Sequence, residues 1–183
     1  MWIRNTSRHP GDEVRECVEF GVRDVDMRRV CVNVKNGALG GAAYNGVPEI
    51  SNAPRGARYL VTLRLGRGGE RWPLGPVNYH FKAPRETGPR NRFPFFVCRD
   101  WREWLVKLAA HEAHHIAQFR AKGSCSELAC ERVAVERLHA WRALQACGTG
   151  AGEQLVLPGI GLAPAATLRS NAEPWFSHRD WAA

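Results

Sequence analysis

The sequence predicts an α+β domain in which a small, mostly antiparallel sheet precedes two long helices. Three observations carry that prediction. Apolar and polar residues alternate in three segments between Val30 and Lys82, the period of half-buried strands. From Asp100 to about Ala146 the period lengthens to roughly 3.6, that of amphipathic helices. A short break at Lys122-Gly123-Ser124 divides that stretch, and helices joined so tightly pack antiparallel.

The elements follow in order. Pro10-Gly11 precedes Val14, Cys17, Val18 and Val22 at helical spacing, which predicts a short N-terminal helix. Next comes a strand with Val30, Val32 and Val34 on one face and Cys31, Asn33 and Lys35 on the other. Residues 36–56 are rich in Gly, Asn and Pro and predict a long irregular connection. Gly37, Gly40 and Gly41 do not fit a phosphate-binding loop, and no Lys-Ser or Lys-Thr follows, which sets nucleotide binding aside. Tyr59, Val61, Leu63 and Leu65 mark a second strand, and Val77, Tyr79 and Phe81 a third. After a polar link, Asp100 with Glu103 forms a capping box opening a helix from Trp101 to about Ala121. Ser124 with Glu127 forms another, opening a helix from Cys125 to about Ala146. The predicted domain covers residues 1–147. Residues 148–183 form a Gly- and Pro-rich tail whose Trp175, Phe176 and Trp181 predict partial docking.

A chain of 183 residues with 44% hydrophobic and 24% charged content suits one soluble globular domain. No apolar run is long enough for a membrane span, and no apolar segment follows the N-terminal charges as in a signal peptide. A cytoplasmic protein is expected, its six cysteines reduced and mostly buried, since none has C-x-x-C spacing. The net charge of +8 permits a nucleic-acid partner. Only Lys35, Lys82, Lys107 and Lys122 of the 26 basic residues are lysine; the arginines are dispersed, so charge alone locates no surface.

Chemistry concentrates in the first long helix. Trp101, Leu105, Leu108, Ile116 and Phe119 form its apolar stripe, and Glu112 falls within it. His111 and His115 lie together at the stripe's edge, one turn apart, while His114 points to the polar side. Two histidines at i and i+4 can share one ion, with the intervening glutamate placed to handle a proton. A zinc site needs a third protein ligand, which the next helix should supply. Its apolar face holds Leu128, Cys130, Val133, Val135, Leu138 and Trp141, and both Glu127 and Glu131 project from it. Glu131 is the preferred ligand. A carboxylate between Val135 and Leu138 needs a partner, and hairpin geometry sets it opposite His115. Glu127, already explained as a capping residue nearer the turn, is the alternative, and Cys130 is expected in the core.

His111-Glu112-x-x-His115 followed by a glutamate on the next helix resembles the zincin metallopeptidases of the glutamate-ligand kind, the gluzincins. The stretch from His111 to Ala134 also looks like small metallopeptidase-like proteins of phages and bacteria. The resemblance spans roughly Val30 to Ala146 and is specific only from His111 to Glu131. It implies a minimal zincin domain holding Zn2+ through His111, His115 and Glu131, with Glu112 moving the proton as a protein or peptide substrate is hydrolysed. Tyr79 and His80 are candidate donors to the oxyanion. The chain departs from the pattern at Val135, where gluzincins commonly carry an acid supporting the first histidine. Were Glu127 the ligand, Glu131 would fill that place. The histidine-ligand SprT-like proteases match less well, because His139 lies off the face. Two other readings remain: a catalytically silent protein stabilised by zinc, and a basic nucleic-acid-binding protein with an incidental histidine cluster.

Overall fold

A computed structural model describes residues 1–48, 52–77 and 96–148. The chain divides into two units, Met1–Ala151 and Gly152–Ala183. The second lies outside the described residues, as do Tyr79, His80 and the tail aromatics.

The elements are β1 (Trp2–Thr6), α1 (Gly11–Val22), β2 (Val30–Lys35), β3 (Gly37–Tyr44), β4 (Tyr59–Gly66), β5 (Leu74–Val77), β6 (Phe96–Cys98), α2 (Trp101–Arg120) and α3 (Glu127–Gly148). The class is α+β as expected, but the sheet is mixed rather than mostly antiparallel. Its order is β1-β2-β4-β3, with β1, β2 and β4 parallel and only β3 reversed. The correction comes from two unpredicted strands. Helix α1 carries the chain back to the starting side between β1 and β2, so those strands run alike. The stretch expected to be an irregular connection is instead an edge strand laid antiparallel on β4. Of the third expected strand only Val77 is described, at the end of β5, which pairs antiparallel with β6 in a separate two-stranded sheet; Tyr79 and Phe81 lie outside the described residues.

The alternation within β2 and β4 decides which face is buried. Val30, Val32 and Val34 meet Tyr59, Val61 and Leu63 across the ladder and face the helices. Each such side chain contributes about 1.5–3 kcal/mol when fully buried, an upper figure for a compact unfolded chain. Helix α1 buries Val14, Cys17, Val18 and Val22. It approaches α2 closely at Gly21, where a Cβ would stand 2.7 Å from Ala109 Cβ and 2.9 Å from Val106 O. A larger residue there would force the two helices apart.

Helix α2 starts where expected. Asp100 Oδ1 accepts from Glu103 N at 2.9 Å. The reciprocal half of the box does not form, because the Glu103 carboxylate takes Arg99 N at 2.7 Å and Arg142 Nε at 3.0 Å. Helix α3 begins later than expected. Its cap is Ser126, whose Oγ accepts from Ala129 N at 3.2 Å, two residues beyond the expected Ser124. That two-residue shift leaves Glu127 without a capping duty.

A candidate metal centre between two helices and an edge strand

Helix α2 projects His111, Glu112 and His115 toward α3 and β3, and all three are buried. His114, one position off that face, is half-buried rather than solvated. The two imidazole rings stand 5.1 Å apart.

Each imidazole meets a different partner at each nitrogen. His111 Nδ1 lies 2.9 Å from Glu131 Oε2, and its Nε2 lies 3.1 Å from Glu127 Oε2. His115 Nδ1 lies 3.4 Å from Cys130 Sγ, and its Nε2 lies 3.4 Å from Glu127 Oε1. The Glu127 carboxylate therefore spans both Nε2 atoms, while Glu131 and Cys130 occupy the far nitrogens. The sequence prefers Glu131 as ligand and keeps Glu127 as the alternative; here Glu127 is the one that meets both Nε2 atoms. Glu131 is not aimed at the Nε2 pair. It is taken by Lys107, whose Nζ donates to Oε2 at 2.8 Å and stands 2.6 Å from Oε1. The physical reason is the axial position of the cap: starting α3 at Glu127 swings that residue over the cleft and leaves Glu131 a turn deeper.

Electrostatics follow the geometry. Burial alone would depress the pKa of His111, but its bonds to Glu127 and Glu131 outweigh that and raise it to about 9. As an imidazolium it donates from both nitrogens, one to each carboxylate. Hydrogen bonds from His111 and His115 hold Glu127 well below the usual carboxylate range. Burial pushes Glu131 up, yet His111 and Lys107 more than compensate and keep it ionised. Burial raises the pKa of Glu112, and the neighbouring imidazoles only partly offset the rise. Burial also raises Cys130 strongly, so it is a neutral thiol beside His115.

Glu112 has room because β3 carries no side chain opposite it. A Cβ on Gly41 would stand 2.8 Å from Glu112 Cγ, 2.9 Å from Cδ, and closer still to Oε1. A cavity of about 320 Å³ opens here, bounded by Gly41, Ala42 and Ala43 of β3 and by His111, Glu112, His115 and Glu127 of the helices. A neighbouring cavity of about 230 Å³ holds Glu131 and Lys107. Cys130 lines neither.

His111, His115 and Cys130 together form a buried group able to hold a metal ion, their donor atoms all within 4.8 Å of one another. Two imidazoles with either a carboxylate or a thiolate suit a borderline ion such as zinc. All six cysteines are free. Among the described residues no helix is long and apolar enough to cross a membrane.

Two participants escaped sequence reasoning, Lys107 and Gly41, while Cys130, a soft zinc ligand by chemistry and expected in the core, is buried there and also meets His115. Lys107 left a legible trace, a lysine one helical turn before His111 in an otherwise apolar stretch. No family model matches the chain, and neither does any curated protein or solved structure.

Proposed function

We propose that this cleft is the centre of a zinc-dependent peptidase, with His111, His115 and Glu127 as metal ligands and Glu112 as the proton-handling group. One observation carries the reading. Both Nε2 atoms face one carboxylate at 3.1 and 3.4 Å, while both Nδ1 atoms are engaged by other groups. Such outer contacts fix a ligating imidazole's orientation and tautomer. The proton on His111 between two carboxylates marks a point where the site already demands positive charge, and a cation would replace it.

Zinc held by these residues would supply a Lewis acid able to lower the pKa of a water and to polarise a substrate carbonyl. Glu112 takes a proton from the attacking water at a carboxylate oxygen. It returns that proton to the amide nitrogen as the carbon–nitrogen bond breaks. Its raised pKa suits a group that must both accept and release a proton. Glu131, neutralised by Lys107, holds His111 by Nδ1. Strand β3 lies at the end of the sheet and passes Glu112 at Gly41, so an extended peptide can add alongside it by main-chain pairing.

A second reading rests on the thiol: with Cys130 as third ligand, the ion would be structural and the protein catalytically silent. Zinc analysis of purified variants separates the two. The peptidase reading expects stoichiometric zinc in the wild type and its loss in Glu127→Ala. It also expects affinity about 10–100-fold weaker in Glu131→Gln. Glu112→Gln should keep the metal and cleave nothing in a peptide library that the wild type cleaves. Zinc retained in Glu127→Ala but lost in Cys130→Ser would replace the first reading with the second.

A further inference from the structure

We infer that the outer face of the four-stranded sheet, turned away from the helices, is a binding site for single-stranded nucleic acid. The strand register assembles it from distant sequence. Trp2, Cys31, Leu60 and Tyr44 lie in one transverse row, and Arg4, Asn33, Thr62 and Ala42 in the next. Thr6 and Lys35 follow in a third. Because side chains alternate along a strand, these rows share one face, and the intervening Val32 and Val61 point into the core.

The face is a shallow basin of about 430 Å³. Arg4, Lys35, Thr6, Asn33, Thr62 and Tyr44 line it, and among the described residues no Asp or Glu does. Elsewhere on the described surface Arg8, Arg28, Arg99 and Arg102 each have a carboxylate partner, whereas exposed Lys122 and Arg132 have none among the described residues. Arg4 and Lys35 are exposed and make no ion pair among the described residues. Two cations with no ion pair among the described residues, on a chain of net charge +8, suit an anionic partner.

The aromatic residues say which anion. Tyr44 is 43% exposed and Trp2 38% exposed, at opposite ends of one row. Three strand spacings separate them, about 14 Å. The rings flank Cys31 and Leu60, both buried, and the cationic and hydrogen-bonding residues lie in the rows beside them, so the face offers stacking to bases and charge to phosphates together. Bases in a duplex are already stacked and paired, whereas unpaired bases can splay onto such a sheet. An anionic lipid surface would use the cations but not the recessed Asn33 and Thr62. The face lies across the sheet from His111 and Glu112, so this inference stands apart from the peptidase reading.

Fluorescence anisotropy of a short labelled oligothymidylate titrated with the full chain tests it. A dissociation constant of about 1–100 µM at physiological salt is expected. The double variant Arg4→Ala, Lys35→Ala should flatten the slope of log K on log salt by about 1.4, at about 0.7 per phosphate contact. Tyr44→Ala should weaken binding about fivefold or more by removing one stacking platform. Arg132→Ala, on the exposed face of α3, and Glu112→Gln should bind as the wild type does. All substituted side chains of the sheet face are exposed, so melting temperatures should hold and loss of binding would report the site. Absence of wild-type binding would overturn the inference. So would binding indifferent to the sheet variants, or tighter capture by phosphatidylserine vesicles with the same dependence on Arg4 and Lys35.

Discussion

Replacing Lys107 by methionine should destabilise the domain severely, and a second substitution should restore much of the loss. Lys107 and Glu131 are each only 1% exposed, and the ammonium stands 2.6 and 2.8 Å from the two carboxylate oxygens. Its Nζ also lies 4.2 Å from the centre of the Phe96 ring. Methionine fills similar space but leaves a buried carboxylate short of its main counter-charge, a change that typically costs about 3–5 kcal/mol. The remaining partner, His111 Nδ1, places the expected figure near the lower bound, about 3 kcal/mol. For a domain of this size that lowers the melting temperature by about 6–12 °C. Glu131→Gln strands the lysine instead and should cost a similar amount, about 3 kcal/mol. In the double variant neither charge remains, and the coupling between the sites should exceed about 2 kcal/mol. Urea denaturation of all four proteins in a chelator measures this without a contribution from bound metal. Single variants within about 1 kcal/mol of wild type, or losses that simply add, would show that the pair behaves like a surface contact and refute the buried-pair argument.

Gly41→Ala should cost about 1–3 kcal/mol through overpacking against Glu112 and should impair any peptide hydrolysis. An unchanged melt with full turnover would remove Gly41 from the site. Ser126→Ala should destabilise by about 1 kcal/mol while Ser124→Ala stays within about 0.5, and the reverse ranking in denaturant titrations would return the cap to Ser124. Burial would raise the pKa of Glu103, but Arg142 and Arg99 prevail and hold it below the ordinary 4.5. Its folded pKa being depressed, the stabilisation is complete above the unfolded value and is lost as pH falls through the folded one. The gap in melting temperature between wild type and Glu103→Gln should therefore narrow as pH drops below about 4.5, and a constant gap down to pH about 3 would count against that linkage.

Much of this arrangement is legible in the residues themselves. Val30 to Lys35, Tyr59 to Leu65 and the stripe of α2 announce their elements because side-chain period is a local property and a buried face enforces it. His111, Glu112 and His115 sit where a helical wheel puts them. Strand β3 was illegible because Gly37, Gly40 and Gly41 lower strand propensity, and what makes it a strand is pairing with β4 and the space Glu112 needs. Strand β1 is only five residues long and acquires its identity from β2, far along the chain. The sequence leaves the choice between Glu127 and Glu131 open because two serines compete to cap α3. Which imidazole nitrogen a carboxylate meets depends on where that helix begins. No single-sequence pattern separates Ser124 from Ser126 when both precede acceptable helix formers.

Strand β1 has a consequence for handling the protein. Among the described residues it is the strand that covers the free edge of β2, a run of Val30, Cys31, Val32, Asn33 and Val34 with no charge and no proline. An N-terminal deletion of half a dozen residues would turn that ladder into a bare, β-branched template for other chains. During synthesis β1 must wait, unpaired, until α1 and β2 have emerged. Truncation or crowding at this end should thus appear first as insolubility.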